Sequence, residues 1–413
     1  MTELFATYRG FNRPSRLLMV NQFAINTGFY MLMPYLAGHL AGPLGLAAWA
    51  IGLVLGVRNF AQQGMFLLGG TLADRLGYKP LIVAGCLLRT GGFALLAFAD
   101  SLPALLVASA ATGFAGALFN PAVRAYLAVD SATRRVEAFA VFNVFYQAGI
   151  LFGPIVGLAL MAFDFRATAA GAATVFGLLT LAQLRALPQH SAEPKTASVL
   201  DDWRVVLANR PFLLFAAAMT GSSVLAFQVY LALPMQATRI VGASSATALM
   251  TSIFVVSGVI AIAGQLRITR WFGQRLGRTR SLALGMAVLA AGFVPLLLVP
   301  GTAFGVWPAV GALLLTAAVL GVGTAAVFPF EMDTVVALSG NQLVATHYGL
   351  YHTIVGIGVL LGNLGIGALL DAARGAGMSS LAWAALIAVG ATAAAALFAL
   401  ARAGRLDAPV PIG

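Results

Sequence analysis

The 413-residue chain is a succession of long apolar runs separated by short breaks rich in charge, glycine or proline. The runs lie near residues 16–39, 46–70, 80–99, 102–128, 137–162 and 166–187, then near 211–236, 244–266, 281–300, 306–330, 343–370 and 379–401. A helix that crosses a bilayer needs about 20 predominantly apolar residues, and every run reaches that length. The pattern predicts an all-α membrane protein with twelve transmembrane helices. Its longest polar segment, Pro188 to Arg210, carries Glu193, Lys195, Asp201, Asp202 and Arg204 and divides the runs six and six. The expected organisation is two pseudo-symmetric six-helix bundles, 1–187 and 211–413, joined by a cytoplasmic linker over 188–210.

Basic residues orient such a chain, because they are retained on the cytoplasmic side. With both termini inside, the outer loops hold only Arg166, Arg239 and Arg374, and Arg58 and Arg89 fall within helices. All the other Lys and Arg of the 24 lie on inner segments. Lys79 and Lys195 are the only lysines, an arginine bias that fits a GC-rich bacterium and hence a bacterial inner membrane.

Composition narrows the function classes. Sixty per cent of the residues are hydrophobic and 9% charged, with a mean hydropathy of +0.93, so a soluble protein is excluded. The net charge of +11 is explained by the inner loops and does not call for a nucleic-acid partner. A single cysteine, Cys86, excludes a disulfide framework, and no cysteine or histidine spacing suggests a metal or cofactor. A membrane-embedded enzyme would need clustered acids or histidines at one depth, and a receptor would need an extended soluble domain; neither is present in the sequence.

The two halves also repeat. The segment from Gly113 aligns without gaps with that from Gly321, pairing Pro121 with Pro329 and Ser131 with Ser339. Gly149 and Gly153 of helix 5 recur, one position out of register, as Gly358 and Gly362 of helix 11. Parallel repeats of membrane helices are the mark of secondary transporters whose site lies near mid-membrane.

After helix 2 the chain reads Gly70-Thr-Leu-Ala-Asp74-Arg75-Leu-Gly77-Tyr-Lys79. This resembles the G-xxx-D-R-x-G-x-K/R signature of the major facilitator superfamily, at the place where that family carries it. The resemblance implies an inner latch formed by Gly70, Asp74, Arg75, Gly77 and Lys79, with Asp130 a further candidate at a nearby inner helix end. Physically, Asp74 can pair with cations or face a helix N-terminus. The matching loop of the second half, Arg267 to Arg280, keeps the bases but lacks the acid. Helix 5 carries Gly149-xxx-Gly153-Pro154-xx-Gly157, similar to the antiporter signature of exporting members, with small residues for close packing and a proline kink.

Helices 2 and 3, from Gly56-Val-Arg58 through Gln62-Gln63-Gly64 to Leu88-Arg89 and Phe93, resemble the bacterial multidrug-resistance transporter H type of the drug:proton antiporter branch. That type carries aspartates in helix 1 and before the helix-4 proline, where this chain has Asn21 and Asn120.

No acid shares the mid-membrane depth of Arg58 and Arg89, so these cations are candidates to attract an anionic substrate such as a siderophore-like metabolite. Asn21, Asn26, Gln62, Asn143, Tyr146, Gln147 and Gln228 are the polar candidates to line that site. Glu331, Asp333 and His352 are the candidates for proton coupling, since histidine titrates near neutral pH. The expected protein is a monomeric, proton-coupled exporter of a small organic solute, a drug or an anionic metabolite, without cofactor. The alternative is an importer on the same fold.

Overall fold

The computed structural model describes residues 2–41, 43–188, 198–299, 301–375 and 380–406. Glu193, Lys195 and His190 of the linker, and Asp407, lie outside them. The described residues are helical with short connections and contain no strand. In order, the helices are α1 (Thr2–Arg9), α2 (Arg13–Tyr30), α3 (Met33–Ala41), α4 (Ala48–Gln63), α5 (Phe66–Leu76), α6 (Tyr78–Phe98), α7 (Leu102–Asp130) and α8 (Arg135–Met161). They continue with α9 (Phe165–Ala186), α10 (Val199–Ala208), α11 (Arg210–Phe227), α12 (Ala232–Ala291), α13 (Val294–Leu298), α14 (Val306–Ser339), α15 (Val344–Gly375) and α16 (Leu381–Arg402).

Among the described residues, nine helical segments are long and apolar enough to cross a membrane. The first two predicted runs are not continuous helices. Residues 31 and 32 form a turn between α2 and α3, and Gly64 and Met65 form one between α4 and α5. Pro34 has no N–H to donate to the preceding turn, which favours the first break. Runs 244–266 and 281–300 both fall within α12, a 60-residue stretch in which separate helices meet at kinks. That stretch is interrupted at Gly242 (φ 74°) and Gly277 (φ 70°), left-handed values that favour glycine. Gly77, between α5 and α6, has φ 92°, so the turn after α5 and the kink at Gly277 use the same device.

The chain forms two compact units. One comprises Thr2–Asn209 together with Asn341–Thr353; the other comprises Arg210–Gly340 and Ile354–Gly413. Helix α15 therefore begins in the first unit and continues into the second. In the first unit, α6 packs on α7 and α9, α2 on α8, and α4 on α7; in the second, α12 packs on α14 and α16. Large apolar side chains such as Leu53, Leu87, Phe98, Val107, Leu158 and Leu364 remain exposed, a surface suited to lipid rather than water.

Close helix crossings rest on small residues. A methyl group at Gly113 on α7 would collide with the Arg58 carbonyl on α4, and one at Gly69 on α5 with the Ala117 carbonyl on α7. Replacing Gly113 by valine should separate α7 from α4 at a cost of about 1–3 kcal/mol, measured as a lower melting temperature in detergent. Gly91→Ala, where the added methyl meets open space, should leave that temperature unchanged. Equal melting of both variants and wild type would rule out the tight crossing.

Candidate functional site

Two guanidinium groups occupy the interior of the first unit. Arg58 on α4 donates from Nη1 to Asn59 Oδ1 at 2.7 Å and from Nη2 to Gln62 Oε1 at 2.6 Å, and lies 4.4 Å from the Phe29 ring centre. Arg89 on α6 is 3% exposed and donates from Nη2 to the Thr112 carbonyl at 3.3 Å. Three rings surround it, Phe119 at 4.8 Å, Phe29 at 5.1 Å and Phe176 at 5.2 Å. Gly116 makes room for the group, since a methyl there would press on Arg89 Nη2 and the Gln62 side chain. The Nε atoms of both arginines are buried without a partner. Among the described residues, neither arginine has an acidic partner.

The two cations are not equally satisfied. An arginine inserted at mid-membrane costs about 3 kcal/mol, and a desolvated cation–π contact returns about 2 kcal/mol. Three rings and a carbonyl can offset that cost for Arg89. Arg58 has one ring and two neutral amide acceptors, so more of its attraction for an anion is unspent.

Beside this pair, α2 and α8 present polar groups to each other. Gln22 donates to Asn26 Oδ1 at 3.2 Å, and Asn26 donates to the Tyr146 carbonyl at 2.8 Å. Asn21 is buried with Nδ2 unpartnered, Asn143 is buried, and Tyr146 and Gln147 are half-buried. The three glycines of the helix-5 signature lie along α2: methyl groups at Gly149, Gly153 and Gly157 would meet Phe23 and Asn26, Tyr30, and Met31 respectively. Pro154, between them, accepts a hydrogen bond on its carbonyl from Tyr35 at 2.8 Å.

Asp74 faces a helix N-terminus, the second of its two expected partners. Its Oδ2 accepts from the Thr346 N–H and Thr346 hydroxyl, both at 2.7 Å, and its Oδ1 from the Ala345 N–H at 3.2 Å. These amides belong to the first turn of α15, where N–H groups have no intrahelical acceptor and the helix dipole favours negative charge. Gly70 is needed for the approach, because a methyl there would strike the Ala345 carbonyl. Arg75 turns away to Asp202, and Lys79 is half-buried. Asp130 accepts from Ser15 Oγ at 2.5 Å.

In the second unit, Glu331 and Asp333 are buried on α14 just after Pro329. Asp333 Oδ2 lies 3.5 Å from Arg278 Nη1, and Arg278 also donates to the Leu406 carbonyl at 2.9 Å. Gln228 donates to Asn363 Oδ1 at 3.1 Å. His352 belongs to the first unit, its ring 5.4 Å from that of Phe66 and its Nε2 buried without a partner. The three candidates for proton handling are therefore divided between the units.

Sequence reasoning missed Phe29, Phe119 and Phe176, which look like any apolar residue in an apolar run. It also missed Thr346, although the stop signal of Gly340 just before it places it near the start of the next helix.

Asp74→Asn keeps one acceptor but loses the charge that faces the Ala345, Thr346 and Tyr78 donors, an interaction worth about 1.5–3 kcal/mol. The variant should reach the membrane at the wild-type level and transport at least severalfold more slowly. Wild-type kinetics would remove Asp74 from the mechanism.

The chain matches the major facilitator superfamily over residues 18–363. It is 65% identical over 395 residues to an uncharacterized MFS-type transporter of Mycobacterium tuberculosis (strain ATCC 25618 / H37Rv), covering 95% of this chain and 94% of that protein. It is 28% identical over 375 residues, 90% of each chain, to the multidrug resistance protein MdtH of Klebsiella pneumoniae (strain 342), and 28% identical over 374 residues, again 90% of each, to that of Enterobacter sp. (strain 638). The chain belongs to the major facilitator superfamily. It is a multi-pass membrane transport protein and not an enzyme.

Proposed function

We propose that this member of the major facilitator superfamily is a proton-coupled exporter of a small anionic organic solute, acting as a monomer in a bacterial inner membrane. Twelve crossings follow if α2–α3 and α4–α5 each cross once as broken helices and the long α12 segment contributes on both sides of Gly277. The even number keeps both termini on the basic, cytoplasmic side.

The observation that carries the substrate class is the pair of guanidinium groups, Arg89 buried and Arg58 part-buried, whose partners are rings, amides and a carbonyl, with no carboxylate among the described residues. Low dielectric makes their potential long-ranged, so an anion gains from both charges and a lipophilic cation is repelled. Arg58 is the contact, with Gln62, Asn21, Asn26, Asn143, Tyr146 and Gln147 as its polar surroundings. Arg89, enclosed by three rings, supplies potential rather than contact. Export is favoured by the glycine face that α8 lays along α2, the feature similar to the antiporter signature. A second reading, drug efflux, is favoured by the relatives named for multidrug resistance.

Arg58→Gln keeps hydrogen-bonding capacity and removes the charge. Export of a siderophore-like carboxylate into inverted vesicles should fall roughly tenfold or more, since a charged hydrogen bond is worth about 1.5–3 kcal/mol. Unchanged anion export, together with resistance of the wild type to cationic dyes, would select drug efflux and make Arg58 structural. For coupling, Glu331→Gln with Asp333→Asn should abolish accumulation driven by a pH gradient yet spare substrate exchange. Continued uphill transport by the double variant would place coupling elsewhere or identify another ion.

A further inference from the structure

The segment between the two sets of runs reads as a polar connection, yet its described part is a helix tied to its surroundings. Ser198 and Asp201 form a capping box that starts α10, and the Ser198 hydroxyl and N–H hold the Asp201 carboxyl below the usual carboxylate range. Start signals of this strength belong to a helix meant to keep its length. One face of α10 then meets α5. Arg75 donates from Nε and Nη2 to Asp202 Oδ2 at 2.8 and 2.7 Å. Trp203 donates from Nε1 to Thr71 Oγ1 at 2.9 Å, and Thr71 donates onward to the Leu67 carbonyl at 2.8 Å. Thr71 and Arg75 are one turn apart on α5, as are Asp202 and Val206 on α10, so each pair shares a face. Val206 is fully buried.

The end of α10 meets a different partner. Asn209, its C-cap, places Nδ2 3.3 Å from His347 Nε2 on the first turn of α15. His347 Nδ1 lies 2.9 Å from the Leu343 carbonyl. A carbonyl can only accept, so Nδ1 carries the proton and Nε2 of the neutral ring accepts from Asn209. Helix α10 thus grips the residue next to Asp74 at one end and the turn that Asp74 caps at the other.

We propose that α10 is a third component of the inner latch, with Asp202, Trp203 and Asn209 as positioning residues that keep Asp74 and the first turn of α15 in register. The cap and the α10 contacts form one closed circuit, Asp74 to Thr346, His347 to Asn209, and Asp202 to Arg75. Opening the cap by moving α15 therefore requires α10 to release one of its grips. The connection between the two sets of helices sets the strength of the cap. This holds for either direction of transport and does not rest on the export reading.

Hydrogen exchange of the full-length protein in lipid nanodiscs, without substrate, tests it. Asp202→Arg sets a like charge against Arg75. Amides of residues 199–208 and of residues 344–350 should both exchange on the order of tenfold faster, as loss of a charged hydrogen bond implies, while α16 keeps its protection. Combining Arg75→Asp with Asp202→Arg should restore both segments. Faster exchange in 199–208 alone would make α10 a passenger, and no change in either would show that the ion pair holds nothing; each overturns the proposal. Should Asp202→Arg fail to accumulate, Trp203→Phe removes the indole N–H with part of the ring and should accelerate the same two segments to a smaller degree. Unaltered exchange at 344–350 in that variant, with 199–208 faster or not, is equally fatal.

Discussion

A helix that starts inside a protein leaves its first N–H groups without acceptors, and in this chain the first turn of α15 is answered by one carboxylate. Asp74 takes two of those amides and the Thr346 hydroxyl at once. Much of the nearby sequence serves that meeting. Gly70 removes the side chain that would block it, Gly77 turns the chain immediately afterwards in a left-handed conformation, and Arg75 is drawn aside by Asp202. The same pairing accounts for the way the chain partitions, since Asn341–Thr353 belongs with the helices that precede it by more than a hundred residues.

The buried cations follow a different logic. A carboxylate beside Arg58 or Arg89 would neutralise the charge and leave little for a ligand. Rings and neutral amides instead lower the cost of burial without cancelling the potential. Arg89 illustrates the limit of that strategy, with three rings and one carbonyl. Arg58, leaning on one ring and on amides of its own helix, keeps more capacity for a new partner. The contrast between neighbours of identical chemistry comes from the number of aromatic side chains that each neighbouring helix contributes.

Most of the helices were legible as apolar runs, because a lipid-spanning helix has to be apolar over a fixed length. The breaks after Tyr30 and Gln63 were not, because neither turn, Met31-Leu32 or Gly64-Met65, adds a polar side chain to its run. The Gly70–Lys79 loop announced itself through glycine and charge at fixed spacing, but its partner did not; of cation and helix end, only coordinates separate the two. Asp202 and Trp203 were hidden for the opposite reason. They sit in a charged stretch that reads as solvated connection, and a docked helix of ten residues has too little periodicity to stand out. The glycines of helix 5 were readable, and their contact with α2 follows from the fact that small residues exist to be approached.

Phe29 has a mechanical consequence beyond its packing. Its ring lies under both guanidinium groups, and it stands two residues before the turn that separates α2 from α3. The two cations thus share one aromatic support among their several partners, mounted at the end of a helix. Loss of that one ring would therefore remove an aromatic contact from both charges at once.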